Sequence, residues 1–411
     1  MPIVSRKGKA MPESPIRKLS PYAERAKQEG KHVYHLNIGQ PDIKTPSIAL
    51  HAIRNHNLDI LGYSHSAGFE SLRKKLADYY AALSIHVSSK DILITTGGSE
   101  ALIFTMGSIT DPGDEIIVPE PFYANYYSFS TQSNIKVVPV ISKIENDFAL
   151  PPIANFEKLI NKKTKAILIC NPGNPTGYLY SQEEIKALAN LAIKHDLFLI
   201  SDEVYREFIY DDNKLHYSVL QEKHLDQHAI LIDSFSKRYS MCGARIGSLV
   251  SRNKEVIDTA MKFAQARLSP PTFAQIASEA ALDTPKSYYT ETVAIYKKRR
   301  DILVRELKKI QGCKVSVPGG AFYCMVELPV KDANDFAIWL LDSFQVNNKT
   351  VMIAPATGFY SSPDVGLNQV RIAYVLDEKH LIEAVHIIKQ ALLNYPANRI
   401  PPEKSFKVLK K

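Results

Sequence analysis

A lysine stands directly after one of the apolar runs of this sequence, in the motif Ser-Phe-Ser-Lys-Arg at 234–238. The run 229–233 predicts a buried strand, so Lys237 falls near the end of that strand. A lysine at a sheet edge can be shielded from water, which favours the uncharged amine that forms a Schiff base with an aldehyde. Most lysines are solvated, so a reactive role for Lys237 is supported only by the residues near it. One of these is Arg245, eight residues further on.

Polar residues follow two other apolar runs in the same way. The run 197–201 is followed by Asp202 and then by Tyr205. An acid at that edge could keep a heteroaromatic nitrogen protonated, although a helix N-cap is an equally good role for Asp202. The run 165–170 leads into Asn-Pro-Gly-Asn-Pro-Thr-Gly. Its two Asn-Pro steps fix a loop, which presents the Asn174 amide as both donor and acceptor.

Two more segments offer an anion site and an aromatic ring. The run 91–96 ends in a Gly-Gly turn that opens a predicted helix. The amides of Gly98 and Ser99, together with the helix dipole, would suit a phosphate there. Tyr123 follows the run 115–118 and could stack on a planar ligand, although core packing is the ordinary role of such a ring.

The elements that must position these residues alternate along the chain. Short β-rich runs are separated by helical patterns, at 91–96, 115–118, 165–170, 197–201, 229–233 and 245–250. This alternation predicts βαβ units and a mainly parallel sheet. A capping box formed by Ser181 and Glu184 opens one of the helices. Because the carboxyl ends of parallel strands meet at one edge, where open α/β sheets bind ligands, the polar residues should lie together.

The pattern changes after about residue 285. A long charged helix is followed by strands near 315, 322–328, 350–353 and 370–375, and then by a helix over 378–393. We therefore predict a large domain over 46–290 and a smaller α+β domain over 291–411. Residues 1–45 would form an N-terminal arm and part of the smaller domain.

Composition excludes several classes of protein. The 411 residues, 45% hydrophobic and 23% charged, are typical of a globular protein with a full core. No apolar run is long enough to span a bilayer, so we expect no membrane partner. The four cysteines match neither a zinc nor a disulfide pattern, and we expect a cytoplasmic protein without a metal. The net charge of +8 clusters only at the two ends of the chain, so no nucleic-acid partner is expected.

The order and spacing of these motifs resemble the fold type I pyridoxal-phosphate enzymes, specifically the class I/II aminotransferases related to aspartate aminotransferase. The resemblance covers nearly the whole chain, from Gly39 in Asn-Ile-Gly-Gln-Pro-Asp to Arg371 in Val-Arg-Ile-Ala-Tyr. It implies an α/β fold whose large domain has a mainly parallel seven-stranded sheet flanked by helices, with a smaller α+β domain beside it. It also implies pyridoxal 5′-phosphate as the cofactor.

The resemblance assigns a role to each matching residue. Lys237 matches the lysine that binds the cofactor aldehyde and later moves the substrate proton, and Asp202 matches the acid that pairs with the pyridinium nitrogen. Tyr205 and Asn174 match the groups that hydrogen-bond the phenolic oxygen of the cofactor, and Tyr123 matches the ring stacked on it. The phosphate cup is matched by Gly98, Ser99, Ser234 and Arg245. Tyr63 matches a tyrosine that reaches the phosphate from the neighbouring subunit. The last match implies a homodimer with shared active sites.

The resemblance also implies how the substrate is held. Arg371 matches the arginine that binds the α-carboxylate, with Asn174 beside it, and Gly39 matches the loop that closes over that group. Arg17 and Arg267 are two candidates for a distal carboxylate. If either contacts the substrate, aspartate, glutamate and their keto acids are the natural substrates. If neither does, an aromatic or broad-specificity aminotransferase is the better interpretation.

We therefore expect a homodimeric aminotransferase that moves the amino group of L-aspartate to 2-oxoglutarate by a ping-pong mechanism. Its partners would be amino acids and 2-oxo acids. A C–S or β-lyase, which would use the same cofactor for an elimination reaction, is an alternative. A cofactor-sensing regulator is disfavoured, because the roughly 35 residues before Gly39 are too few for a winged helix.

Overall fold

The computed structural model describes residues 2–57 and 59–396, which form fourteen α-helices and thirteen β-strands. The strands are β1 (His32–His35), β2 (Ile92–Thr95), β3 (Glu115–Glu120), β4 (Lys136–Ile141), β5 (Thr164–Cys170), β6 (Phe198–Asp202), β7 (Ala229–Ser234), β8 (Gly247–Val250), β9 (Lys314–Val315), β10 (Tyr323–Glu327), β11 (Lys349–Met352), β12 (Ala354–Pro355) and β13 (Gln369–Ala373). The helices are α1 (Arg6–Ala10), α2 (Ser20–Gln28), α3 (Ser47–Arg54), α4 (Glu70–Ala81), α5 (Gly98–Ile109), α6 (Asn125–Ser133), α7 (Ile153–Glu157), α8 (Gln182–Lys194), α9 (Phe235–Arg238), α10 (Lys254–Arg267), α11 (Thr272–Ala281), α12 (Lys286–Leu307), α13 (Ala333–Asp342) and α14 (Glu378–Asn394).

Seven strands form the central sheet, in the order β2-β8-β7-β6-β5-β3-β4. The strands from β3 to β7 run parallel, whereas β8 is antiparallel to both of its neighbours. The predicted mainly parallel seven-stranded sheet is therefore confirmed, and all six predicted runs belong to it. The seventh strand, β4, was not predicted. Pro139 interrupts its pattern, and a proline is tolerated there because β4 lies at the edge of the sheet.

The central sheet is buried on both faces. Along β5, Ile167 and Ile169 pack into one core with α4, α8 and α11. The alternate residues Ala166 and Leu168 pack into a second core with α5, α6 and α10. The predicted capping box at the start of α8 is present, with both of its hydrogen bonds. Helices packed on both faces leave the strand ends as the edge open to a ligand.

A smaller four-stranded antiparallel sheet, in the order β12-β13-β10-β9, lies in the C-terminal part of the chain. The N-terminal strand β1 pairs in parallel with β11, and residues between 19 and 36 share a core with residues of β10, β13 and α14. The N-terminal segment thus packs with elements of the C-terminal part of the chain. The division at 45 and 290 stays a prediction, and α12 runs across the second boundary as one continuous helix.

Residues 397–411, the end of the predicted smaller domain with its basic tail, lie outside the described residues. Among the residues that are described, every helix is too short or too polar to span a bilayer.

Candidate active site

A cavity of about 700 Å³ opens at the carboxyl edge of the parallel strands. All of the predicted site residues except Tyr63 and Arg267 line it: Arg17, Gly39, Gly98, Ser99, Tyr123, Asn174, Asp202, Tyr205, Ser234, Lys237, Arg245 and Arg371. Residues from the smaller sheet and from the N-terminal segment close the cavity against the central sheet. The site is therefore assembled from segments that are distant in sequence.

An anion cradle lies at the N-terminus of α5. Gly97 precedes the helix with a φ of 79°, and a Cβ atom there would lie 2.6 Å from an Nη atom of Arg245. A Cβ atom on Gly247 would lie 2.6 Å from the carbonyl oxygen of Asp233. The backbone can approach this closely only because both residues are glycines. The exposed amides, the helix dipole and the guanidinium together suit a phosphate dianion.

Asp202 ends β6 at the floor of the cavity. Its Oδ2 atom accepts a hydrogen bond from the Tyr126 hydroxyl at 2.7 Å. Burial raises the pKa of Asp202 to about 6, and the nearby carboxylates of Asp233 and Glu203 add to this effect. A cationic partner would stabilise the ionised form of this acid, because it offsets the cost of burying the negative charge. A protonated ring nitrogen would be such a partner.

Tyr123 presents its ring to the same cavity. The ring packs edge-on against Tyr126, with centroids 5.4 Å apart, and its hydroxyl accepts a hydrogen bond from the Asn125 amide at 2.9 Å. These two contacts fix the ring, and Tyr123 is only partly buried. A fixed aromatic ring at the cavity wall suits stacking on a planar ligand.

Lys237 lies on the short helix α9, directly after β7. Its Nζ atom donates a hydrogen bond to the carbonyl oxygen of Gly39 at 3.0 Å and lies 3.9 Å from the Cys242 sulfur. The side chain is only partly buried, so the amine faces the cavity rather than the core. Its position leaves the amine able to react with a carbonyl group bound there.

A buried ion network holds α9 in place beneath Lys237. The guanidinium of Arg238 pairs with Asp233 and with Glu207, the latter at 2.8 Å. Arg206 pairs with the same Asp233 at 3.3 Å and with Glu203 at 3.1 Å. Burial alone would raise the pKa of Asp233, but the two arginines outweigh it and keep that pKa below its usual value. The helix that bears the lysine is thus anchored to β7 through Asp233 and to the segment after β6 through Glu207.

Arg371, on β13, is fully buried at the opposite wall of the cavity. One Nη atom donates to the Asn174 side-chain carbonyl at 3.0 Å, the other donates to the carbonyl of Asn37, and Nε has no partner. Within residues 2–57 and 59–396, its recorded interactions include no carboxylate. Burial lowers the pKa of Arg371, since a guanidinium away from water lacks solvation. A buried cation without an acid requires an anionic ligand.

Three of the predicted residues, Arg17, Arg267 and Tyr63, are either exposed or outside the cavity lining. Arg17 lines the cavity, and its side chain is exposed. Arg267 lies outside the cavity lining, where its guanidinium pairs with Glu100 at 2.6 Å. Tyr63 is 83% exposed and does not line this cavity.

Sequence reasoning missed several residues that line the cavity, among them Ser14, Gln40, Asn125, Cys242 and Tyr323. Asn125 and Cys242 each lie within five residues of a predicted site residue, so a wider window around each motif would have included them. Tyr323 had no such signal. It begins β10, a strand that was predicted, but it reaches the site only because β10 pairs with the strand that bears Arg371.

The residues present fit pyridoxal phosphate. The anion cradle suits its phosphate, buried Asp202 suits a protonated ring nitrogen, and Lys237 suits its aldehyde. The glycines of the cradle leave room that a Cβ atom would fill. No metal is needed for this donor set, and among the described residues no group of three or more metal-ligating side chains is found.

Comparisons with known proteins agree with this interpretation. The family model described as "Aminotransferase class I and II" matches residues 31–388. An aspartate aminotransferase of Pyrococcus horikoshii is 33% identical over 366 residues, which cover 88% of this chain and 90% of that protein.

Solved structures give the same result for the fold. The aspartate aminotransferase from Thermus thermophilus with maleate is 29% identical, with a TM-score of 0.85 over 95% of this chain and 100% of that chain. The alanine aminotransferase from Pyrococcus furiosus is 28% identical, with a TM-score of 0.86 over the same shares. The chain thus belongs to the class I and II aminotransferases and is a pyridoxal-phosphate-dependent enzyme of that family.

Proposed function

We propose that this aminotransferase takes the amino group of L-aspartate and passes it to 2-oxoglutarate by a ping-pong mechanism. The observation that supports the proposal most is Arg371, a buried guanidinium that donates to an amide and a backbone carbonyl and, in the described part of the chain, pairs with no acid. The α-carboxylate of an amino acid would supply the missing anion as a bidentate partner. Both substrates have this group, so one site would serve both halves of the reaction.

Each of the other side chains then has a task. When bound, pyridoxal phosphate supplies an aldehyde that condenses with amines and a ring that takes up the electron pair of a broken Cα–H bond. Asp202 would hold the ring nitrogen protonated, and Tyr205 would donate a hydrogen bond to the phenolic oxygen. Arg371 would orient the substrate so that its Cα–H bond points to the amine that removes the proton.

Lys237 would be that amine. Its Nζ atom lies 3.0 Å from the carbonyl oxygen of Gly39, and Gly39 belongs to the segment proposed to cover the substrate carboxylate. With cofactor and substrate bound, the lysine amine would accept the proton from the substrate α-carbon and would later donate it back as a general acid. One group can serve in both steps because its side chain is long and flexible.

Arg17 is the better candidate for the distal carboxylate of aspartate. It lines the cavity beside the polar residues Ser14 and Gln40, and its side chain is exposed. Arg267 would first have to leave Glu100, which lies 2.6 Å from its guanidinium. A second cation in the cavity favours a dicarboxylate over an apolar side chain.

A homodimer is part of the proposal. Tyr63 is 83% exposed, and Ile60 and Leu61 beside it are 83% and 61% exposed. Such exposed apolar residues mark a contact surface more often than a free one. In the proposed dimer, Tyr63 would reach the phosphate bound in the neighbouring subunit.

Steady-state kinetics test the substrate assignment. We expect parallel lines in double-reciprocal plots, as a ping-pong mechanism requires, with aspartate preferred over alanine and tyrosine. Replacing Arg17 with Gln should lower kcat/KM for aspartate by about tenfold or more and leave that for alanine within about threefold. Equal losses for both donors would overturn the role of Arg17. A wild-type preference for tyrosine would overturn the choice of aspartate.

A further inference from the structure

Four side chains form a closed circuit in the cavity wall. An Nη atom of Arg371 donates to the Asn174 carbonyl at 3.0 Å, and the Asn174 amide lies 3.5 Å from the Tyr205 hydroxyl. The hydroxyls of Tyr205 and Tyr323 are 2.8 Å apart. The ring of Tyr323 lies under the Arg371 guanidinium at 4.4 Å, which closes the circuit. The α-carboxylate site and the cofactor site thus share one set of contacts.

The number of protons in the circuit limits how it can be arranged. The Asn174 amide donates, so the Tyr205 oxygen accepts from that side. Burial raises the pKa of Tyr205 well above its usual value, so this phenol keeps its single proton. That proton can go to a ligand in the cavity only if Tyr323 donates to Tyr205 rather than accepting from it. The hydroxyl of Tyr323 therefore decides where Tyr205 points its proton.

Tyr323 is held firmly enough to act in this way. It is buried and packs edge-on against the ring of Tyr205, with centroids 5.6 Å apart. A Cβ atom on Gly39 would lie 1.9 Å from the Tyr323 hydroxyl, so the segment around Gly39 covers that hydroxyl closely. The strand β10, which Tyr323 begins, pairs along its length with β13, which bears Arg371. Loop, strand and ring thus fix one another.

We propose that Tyr323 is a positioning residue that couples the substrate-carboxylate site to the cofactor site. Its hydroxyl directs the Tyr205 proton toward the phenolic oxygen of the cofactor, and its ring supports the Arg371 guanidinium. The inference rests on the proposed roles of Arg371 and Tyr205. Neither role requires Tyr323 to touch the reacting atoms. A donor that itself accepts a hydrogen bond is the stronger donor, so the effect of Tyr323 passes through Tyr205.

Two variants separate the hydroxyl from the ring. Tyr323→Phe removes only the hydroxyl, and Tyr323→Leu removes the aromatic face as well. Tyr374→Phe is the matched control, because Tyr374 is also buried, directly after β13, but its hydroxyl donates to the carbonyl of Ala321 and it does not line the cavity. The readouts are the pH midpoint of the visible absorption band of the holoenzyme and the dissociation constant of maleate, an unreactive dicarboxylate.

For Tyr323→Phe we expect the pH midpoint of the absorption band to rise by about half a pH unit or more. Without the Tyr323 hydroxyl, Tyr205 is a weaker donor and stabilises the ionised phenolic oxygen of the cofactor less. Maleate affinity should stay within about twofold, since a phenyl ring still faces the guanidinium. The titratable groups that line the cavity with the two phenols are the same in wild type and variant: Tyr123, Cys170, Asp202, Lys237, Arg371 and the more distant Arg17, Cys242 and Arg245. For Tyr323→Leu, maleate affinity should fall by about threefold to tenfold.

The outcomes distinguish this inference from the proposed function. An unchanged or lower midpoint in Tyr323→Phe, with the wild-type band titrating normally, would overturn the role of the hydroxyl. Equal maleate affinity in the Phe and Leu variants would overturn the role of the ring. If the wild-type holoenzyme itself neither titrates nor binds maleate, the proposed function fails and takes this inference with it.

Discussion

The amine of Lys237 donates a hydrogen bond to the carbonyl oxygen of Gly39 across 3.0 Å. Lys237 lies on α9 at the edge of the central sheet, whereas Gly39 lies on the N-terminal segment between β1 and α3. The contact brings the group proposed to move the substrate proton against the loop proposed to cover the substrate carboxylate. We infer that the position of this loop and the reactivity of the lysine are linked.

The loop position can be changed by adding one methyl group. In Gly39→Ala the new Cβ atom would lie 1.9 Å from the Tyr323 hydroxyl, so either the loop or the ring must move. We expect KM for aspartate to rise by about tenfold, with the affinity for pyridoxal phosphate changed by less than about threefold. Gly319→Ala is a suitable control, because its Cβ atom would meet only ordinary contacts at 3.4 Å. An unchanged KM would mean that the loop does not cover the substrate.

The raised pKa of Asp202 predicts a pH effect of definite sign on stability. Its folded value of about 6 lies above the ordinary 3.8, so the folded cofactor-free protein holds this proton more tightly than the unfolded chain. Its contribution to stability is therefore full below about pH 4 and is lost as the pH rises through about 6. We expect Asp202→Asn, without cofactor, to gain stability relative to wild type across this interval. Thermal unfolding at a series of pH values measures the difference.

The same substitution should have the opposite effect on cofactor binding. An ionised Asp202 pairs with a protonated ring nitrogen, and an asparagine cannot. The ratio of wild-type to variant affinity for pyridoxamine phosphate should rise with pH through about 6, reaching about tenfold or more. Using the ratio cancels the titration of the phosphate itself. A ratio that stays flat between pH 5 and 8 would contradict the pairing.

Arg371 should not be replaceable by lysine. A lysine keeps the charge but loses the planar fork that binds a carboxylate with two hydrogen bonds. We expect Arg371→Lys to weaken maleate binding by about tenfold to a hundredfold while pyridoxal phosphate still binds. Arg252→Lys, at an arginine that pairs with Asp226 outside the cavity, controls for a general effect of the exchange. Equal maleate affinity in wild type and Arg371→Lys would place the α-carboxylate elsewhere.

The buried ion network predicts a large effect on stability. Asp233→Asn would leave the charges of Arg238 and Arg206 without their shared partner, which should lower the free energy of unfolding by about 3–5 kcal/mol. By contrast, Asp258→Asn breaks a solvent-exposed pair with Lys254 and should change the free energy of unfolding only slightly. Urea unfolding compares the two. A similar small loss in both would show that the network does not anchor α9.

Local motifs were enough to predict most of the site but not all of it. Lys237, Asp202 and Asn174 each follow a recognisable strand, so sequence order alone places them at one sheet edge. Tyr323 could not be found in this way, because it enters the site through the pairing of β10 with β13. Long-range pairing leaves no local pattern in the sequence.

The two candidates for a distal carboxylate show the same limit. Arg267 has the residue type for the task, but its partly buried side chain pairs with Glu100, a contact between α10 and α5. The fold brings Arg17, the other candidate, to the cavity. Which charges are paired is decided by packing between distant elements.

The visible absorption spectrum of the purified enzyme, recorded with L-aspartate and no keto acid, tests the central claim most directly. We predict that the band of the bound cofactor is lost with aspartate and returns with 2-oxoglutarate, and that Lys237→Ala, which has no amine to bind the aldehyde, lacks the wild-type band from the start. A cofactor band that aspartate does not change, or a Lys237→Ala protein with the wild-type spectrum and full turnover, would contradict the account.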